Sequence, residues 1–238
     1  MKNSNQRCLT EHFIKSIKCK VALLFFLMLF ISAQQALAVT CHCFKERAFE
    51  ASTPASADPY ILATTRNSLL AAAARIDKGA VVRLRMKGTN ETDLWLSHYL
   101  STRVDKSADQ LLDARDKTSS WAAALDAAEL NTEKLGTAFQ ETRKAGDAEG
   151  MARALADPLL ATTFEAGEQT LASLRDNRAN IAESALSLFL GGKLGRAPES
   201  ILKEVQEGKN TWGVLLNSLG IKIDTVGDLM AEAVKEKM

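Results

Sequence analysis

Beyond residue 58, apolar residues recur at intervals of three and four along most of the chain, which is the period of a helix that buries one face. The first such segment starts at Asp58 and Pro59, residue types preferred at a helix cap and at the first helical position. We therefore predict a helix over residues 58–76. Its stripe consists of Leu62, Thr65, Leu69, Ala72 and Ile76.

The same period predicts ten further helices. Gly191-Gly192 falls after one of them and is interpreted only as a helix stop. The predicted ranges are 91–103, 107–116, 120–128, 132–144, 148–155, 159–175, 181–190, 199–207, 211–219 and 225–236.

One segment departs from this pattern, because residues 82–87 alternate apolar and basic side chains in the period of a half-buried strand. Arg83, Arg85 and Lys87 could bind an anionic ligand as a basic stripe. Three exposed charges are also ordinary on the solvated face of an edge strand, and we favour that interpretation. The expected fold class is all-α, with at most one short β-strand.

The segment 93–139 resembles the segment 183–230, so we predict two copies of a module made of a short helix, a turn and a Trp-led helix. Both copies would pack on the N-terminal helix. The two tryptophans are expected in the core rather than stacked on a ligand. The matched pairs are Leu111 with Ile201, Trp121 with Trp212, Leu125 with Leu216 and Leu130 with Ile221.

Residues 1–38 have the three parts of a secretory signal peptide: a basic start, an apolar run over residues 21–31, and the small-residue site Ala36-Leu37-Ala38. We expect cleavage after Ala38, with a retained anchor as the alternative. An irregular lead-in, 39–57, and a helical domain, 58–238, then remain. The predicted location is periplasmic or secreted, with no membrane span after cleavage.

Composition supports a globular chain, with 25% charged and 46% hydrophobic residues, and removal of the signal changes the charge. The segment 1–38 carries five basic residues and one acidic residue, so its loss turns the net charge from +1 to −3. A cationic surface is what nucleic-acid binding requires, so that class of partner is not expected. Another envelope protein is the expected partner, and the oligomeric state stays open.

Cys41-His42-Cys43 is the one concentrated set of reactive side chains. Two thiolates and an imidazole suit copper or zinc, whereas exported thiols tend to pair, so a disulfide between Cys41 and Cys43 or between chains is the other interpretation. Lipidation of Cys41 is a third. His98 is the only other histidine after the signal, and Leu188 stands at its counterpart, so we expect it to pack rather than to complete a metal site.

The chain also resembles a class of exported bacterial helical proteins. These open with Cys-His-Cys-Phe after the signal, here Cys41 to Phe44, and continue with Asp-Pro-Tyr, here 58–60, and Ala-Thr-Thr, here 63–65. The second halves of these proteins carry a pattern of a helix, a turn and a tryptophan. The resemblance implies export and a helical fold, and it implies no activity.

The sequence has no Walker A motif, dinucleotide glycine fingerprint, Gly-x-Ser-x-Gly or His-Glu-x-x-His, and no catalytic or cofactor-binding residue is indicated. The leading hypothesis is therefore an exported, non-enzymatic interaction or structural protein without a cofactor. The alternative is a metal-binding or thiol-redox protein that acts through Cys41-His42-Cys43 with copper or zinc. An enzyme of another type is the third hypothesis.

Overall fold

The computed structural model describes Phe44 and residues 46–238, so the predicted signal peptide and Cys41 to Cys43 lie outside the described residues. Within residues 46–238 the chain forms twelve α-helices and no strand, which confirms the all-α fold. None of these helices combines the length and apolar character that crossing a membrane requires. The helices are α1 (Asp58–Ala74), α2 (Lys78–Met86), α3 (Glu91–Leu94), α4 (Ala108–Asp116), α5 (Trp121–Ala127), α6 (Thr137–Lys144), α7 (Ala148–Phe164), α8 (Glu168–Asp176), α9 (Ile181–Leu194), α10 (Pro198–Gln206), α11 (Trp212–Ser218) and α12 (Val226–Lys237).

Four short turns of other helical types extend this set within the described residues. Helix α3 continues through a π turn, Trp95–Tyr99, into a 3₁₀ turn, Leu100–Thr102. Two further 3₁₀ turns, Glu133–Leu135 and Ile223–Thr225, precede α6 and α12.

Helix α1 forms the centre of the fold. Helix α12 packs along it more extensively than any other helix, and α9, α2 and the π turn also contact it. A helix covered from several sides has no wide polar face, which is why most of α1 is buried. Its buried side chains are Ile61, Ala63, Thr64, Thr65, Ser68, Leu69, Leu70 and Ala71 to Ala74.

Gly227 sets the close approach of α12 to α1. A Cβ at this position would lie 2.5 Å from Lys78 Nζ and 2.6 Å from both Ser68 Oγ and Thr64 Oγ1. Lys78 Nζ in turn donates a hydrogen bond to Thr64 Oγ1 at 2.9 Å. Any larger residue at 227 would therefore collide with the polar groups that join the two helices.

The predicted strand at residues 82–87 is wrong, because residues 82–86 belong to α2 and Lys87 is its C-cap. Asp77 caps this helix, since its Oδ1 accepts a hydrogen bond from Ala80 N at 3.0 Å. Val81 is buried and Leu84 and Arg85 are half-buried, which is one helical face at i, i+3 and i+4. Six alternating residues fit such a face as well as a strand, so the short pattern was ambiguous.

The predicted helix end at residue 155 is also wrong, because α7 continues through Pro158 to Phe164. Proline removes one backbone donor, but apolar packing on both sides of it keeps the helix continuous. The residues buried around Pro158 are Leu155, Ala156, Leu159 and Leu160.

Two further helix ends differ from the predictions. The helix expected over 159–175 is interrupted at Glu165, which has the left-handed backbone of a helix C-terminus with φ 54°. Gly191-Gly192 does not stop α9, which continues to Leu194 and ends at Gly195 with φ 63°. A glycine in this left-handed conformation is the ordinary end of a helix.

The two segments of similar sequence have the same order of elements. The first contains most of the α3 helix with its π and 3₁₀ turns, then α4, α5 and a 3₁₀ turn, and the second contains α9, α10, α11 and a 3₁₀ turn. Trp121 and Trp212 begin α5 and α11, and each is only 2% exposed. Superposition of the two copies stays a prediction.

The sequence predicted Asp58 as the cap of α1, and this prediction is wrong. The cap of α1 is Ala57, which contributes no side-chain bond, and Asp58 is already helical. Its carboxylate instead accepts hydrogen bonds from the backbone of Trp212 at 3.2 Å and of Gly213 at 2.9 Å, at the start of α11.

Residues 46–57 before α1 form bends and turns, and this segment docks on the helices. The ring of Phe44 meets the ring of Tyr60 edge-on, with centroids 5.8 Å apart. Pro54 O accepts a hydrogen bond from Thr211 Oγ1 at 3.2 Å. The segment that follows the cysteines is therefore tied to α1 and α11.

Candidate functional site

The three residues of the predicted metal or disulfide site, Cys41, His42 and Cys43, lie outside the described residues, so that hypothesis stays a prediction. The chain resumes at Phe44, which contacts Tyr60 in the first turn of α1. The Arg47 guanidinium lies 5.6 Å above the same ring. This aromatic and cationic contact fixes the lead-in at the N-terminal end of α1.

His98, the fourth ligand considered, lies in the π turn and is half-buried. Burial lowers the pKa of its imidazole, and the charge of Asp109 opposes this shift. The 3₁₀ turn that follows His98 shares a cleft with Arg75 at the C-terminal end of α1, whereas Phe44 lies at the N-terminal end. Residues 46–238 contain no group of three or more His, Cys, Asp or Glu side chains with the proximity of metal ligands.

Several polar side chains with defined hydrogen bonds lie where α3, α7 and α9 begin. A cleft of about 530 Å³ opens there, and we call it the three-helix cleft. The first residues of those three helices line it together with Arg115 of α4 and Trp121 of α5. Helix starts carry free backbone N–H groups, which Asn90, Asp147 and Asn180 cap with their side chains.

Asp93 is the fixed point of the three-helix cleft. Its Oδ1 accepts a hydrogen bond from Trp121 Nε1 at 2.7 Å, and its Oδ2 accepts one from Asn90 Nδ2 at 2.6 Å. The backbone N–H of Asp93 donates to Asn90 Oδ1 at 2.8 Å. These three hydrogen bonds fix the side chains of Asp93 and Trp121, which form one wall of the cleft.

Glu91 forms the acidic edge of the cleft. Its Oε2 lies 3.5 Å from Arg66 Nη1 of α1, and each of these side chains is about a quarter exposed. Burial raises the pKa of Glu91, while the charges of Arg66 and Arg85 lower it. The carboxylate is thus paired with the guanidinium of Arg66 and is also influenced by the charge of Arg85.

Arg115 and Arg153 supply the opposite charge. Arg115 Nη1 donates to Thr118 O at 3.0 Å, but its Nε is buried and has no hydrogen-bond partner among the described residues. Arg153 lies 3.8 Å from Glu149, whose side chain is 76% exposed. The cleft therefore presents both signs of charge around an apolar floor that includes Ala152 and Ile181.

The sequence had not indicated this site. The sequence indicated no binding residue among the carboxylates of this site and predicted only a core position for Trp121. A local signal existed in Asn90-x-x-Asp93, which is a capping pattern. The bond from Trp121 to Asp93 spans 28 residues, so nothing local reveals it.

Comparisons with protein-family models, curated proteins and solved structures gave no match.

Proposed function

We propose that this chain is an exported, non-enzymatic helical protein that binds another protein of the cell envelope through the three-helix cleft. The basic, apolar and small-residue pattern of residues 1–38 supports export. The acidic net charge after removal of that segment favours a protein partner over nucleic acid.

The observation that carries the binding proposal is a donor of Arg115 without a partner among the described residues, in the same cleft as the fixed carboxylate of Asp93. A buried donor without a partner is costly, and binding of an acceptor relieves that cost. The cleft also offers carboxylate acceptors at Glu91 and Asp93. A polypeptide segment has donors and acceptors along its backbone, and it therefore matches a wall of mixed charge better than a simple ion does.

Site-specific photo-crosslinking in the exporting cell tests this proposal. A photoreactive phenylalanine analogue at Glu149, on the exposed rim, should yield one discrete crosslinked protein. The same analogue at Met86, which is 55% exposed on α2, is the control and should not yield that product.

A second substitution connects the product to the cleft itself. Arg115→Ala should reduce the crosslink at position 149 severalfold, since it removes the unpaired donor. Identical products from positions 149 and 86, or a product that Arg115→Ala leaves unchanged, would contradict the proposal.

A further inference from the structure

Two adjoining clefts lie at the opposite end of the fold, around the C-terminal ends of α1 and α12. The first, of about 620 Å³, runs between α1 and α12. The second, of about 500 Å³, lies between α7 and the 3₁₀ turn Leu100–Thr102. Arg75 and Met238 line both, so the two clefts meet at these residues. We call the meeting point the Arg75 junction.

The second cleft is lined by three cations, Arg75, Arg103 and Lys237, and its lining includes no Asp or Glu side chain. Arg103 is held in place, because it donates to the hydroxyl of Tyr99 and its guanidinium lies 5.0 Å from that ring centroid. Lys237 pairs with the exposed Glu165 at 2.7 Å. Arg75 makes no ion pair among the described residues.

Helix ends explain only part of this positive charge. The C-termini of α1, of the α3 helix with its 3₁₀ turn, and of α12 lie here, and each carries about half a negative elementary charge. Lys237 is already paired with Glu165, so the cations left for a ligand are Arg75 and Arg103, and neither makes an ion pair among the described residues.

Unpaired hydroxyl groups accompany the cations. Thr163 is 7% exposed and lines the second cleft, and its Oγ1 has no hydrogen-bond partner within the described part of the chain. Ser68, 1% exposed, lines the first cleft, and its Oγ also has no partner there. By contrast, Thr162 donates to Pro158 O at 2.9 Å. Hydroxyl donors beside guanidinium groups are the chemistry that recognises oxyanions.

Arg75 ends α1 in a left-handed conformation. It has φ 56° and ψ 41°, and its N–H bonds the carbonyls of Ala71 and Ala72. Glycine is the ordinary residue in this conformation, and a residue with a Cβ costs about 1 kcal/mol more there. Glycine is therefore the substitution that removes the Arg75 side chain while it suits the backbone.

We propose that the Arg75 junction binds a small oxyanion, a molecule with a phosphate or carboxylate group, through the guanidiniums of Arg75 and Arg103 and the hydroxyl of Thr163. This site is distinct from the three-helix cleft, so it adds a ligand to the proposed function. Planar guanidinium groups bind either oxyanion in two-point fashion. A cleft of 500 Å³ accommodates a molecule of metabolite size.

Calorimetric titration of the purified protein with sodium pyrophosphate and with citrate, against sodium chloride at equal ionic strength, tests the proposal. Arg75→Gly is the central variant, because glycine suits the left-handed backbone and the fold is retained. Arg178→Gly is its matched control: Arg178 is exposed, has φ 59°, and lines neither cleft.

At least one of the two oxyanions should bind, with an affinity reduced tenfold or more by Arg75→Gly and unchanged by Arg178→Gly. Thr163→Val should reduce it severalfold while it preserves the shape of the side chain. Binding of pyrophosphate alone identifies a phosphate ligand, and binding of citrate alone identifies a carboxylate ligand. Failure of both to bind at millimolar concentration, or equal losses in the two glycine variants, would overturn the proposal.

Discussion

The carboxylate of Asp58 accepts the backbone N–H of Gly213 at 2.9 Å across 155 residues of sequence. A second bond, from Trp212 N to the same carboxylate, adds to the cap of α11, in which Thr211 Oγ1 accepts Val214 N at 3.0 Å. Burial raises the pKa of Asp58, and these two bonds lower it. A residue in the first turn of the central helix thus binds the first residues of α11. The neighbouring residue Thr211 donates a hydrogen bond to Pro54 O of the lead-in.

Asp58→Ala should lower the free energy of unfolding by about 1–2 kcal/mol, since it leaves the backbone N–H groups of Trp212 and Gly213 without their acceptor. It should also speed proteolysis within residues 46–57. Chemical denaturation and limited proteolysis measure the two effects. Asp147→Ala removes the local cap of α7, where Oδ1 accepts Gly150 N at 2.9 Å, and should destabilise without exposing the lead-in. Equal proteolysis of both variants would argue against the long-range cap.

Gly227→Ala should destabilise the protein by about 1–3 kcal/mol, because its Cβ collides with the polar groups between α1 and α12. Gly192→Ala is the matched substitution, since a Cβ there meets nothing within 4 Å on the exposed side of α9. That change should stabilise by about 0.5–1 kcal/mol. Thermal unfolding should therefore show shifts of opposite sign, and shifts of the same sign would contradict the close approach at Gly227.

Trp121→Ala and Trp212→Ala should each cost about 3–5 kcal/mol, the range for large aromatic truncations in a core. Trp121→Phe retains much of the packing but loses the bond to Asp93, so it should cost about 1–3 kcal/mol. Urea denaturation measures all three. Met86→Ala, on an exposed side chain, provides the baseline, and tryptophan variants that match it would refute a shared core role.

His98→Gln should flatten part of the pH dependence of stability. Because burial lowers the pKa of His98, the unfolded chain takes up a proton before the folded one as pH falls through the usual value of 6.5. The stability from the neutral buried imidazole is therefore present above that value and is lost as pH falls through the folded pKa. Unfolding free energies across this range should converge for the two proteins towards low pH; parallel curves would exclude the effect.

The intact mass of protein recovered from the cell envelope should begin at Val39. The reason is the Ala36-x-Ala38 site behind a short apolar run, which signal peptidases recognise. A mass that includes residues 1–38 would indicate a retained anchor, and a lipid on Cys41 would indicate a different cleavage site.

Much of the local structure was readable from the sequence. Helices with one apolar stripe and a good cap, such as 107–116 and 211–219, are observed within a residue or two of their predicted ends. Errors occurred where local signals were short or opposed by packing. Residues 82–87 alternate too briefly to separate a strand from a helix, and Pro158 is a helix breaker only where surrounding side chains do not hold the helix.

The sequence by itself determined the helical periodicity and the starts of helices such as α4 and α11, which Ser107 and Thr211 cap, because these depend on neighbours within a few positions. Only the tertiary structure decided that Asp58 binds the start of α11, that Trp121 fixes Asp93, and that Arg75, Arg103 and Thr163 line one cleft. Each of these depends on distant segments that pack against α1 or beside one another, and side-chain types that are common on any helix surface carry no record of such partners.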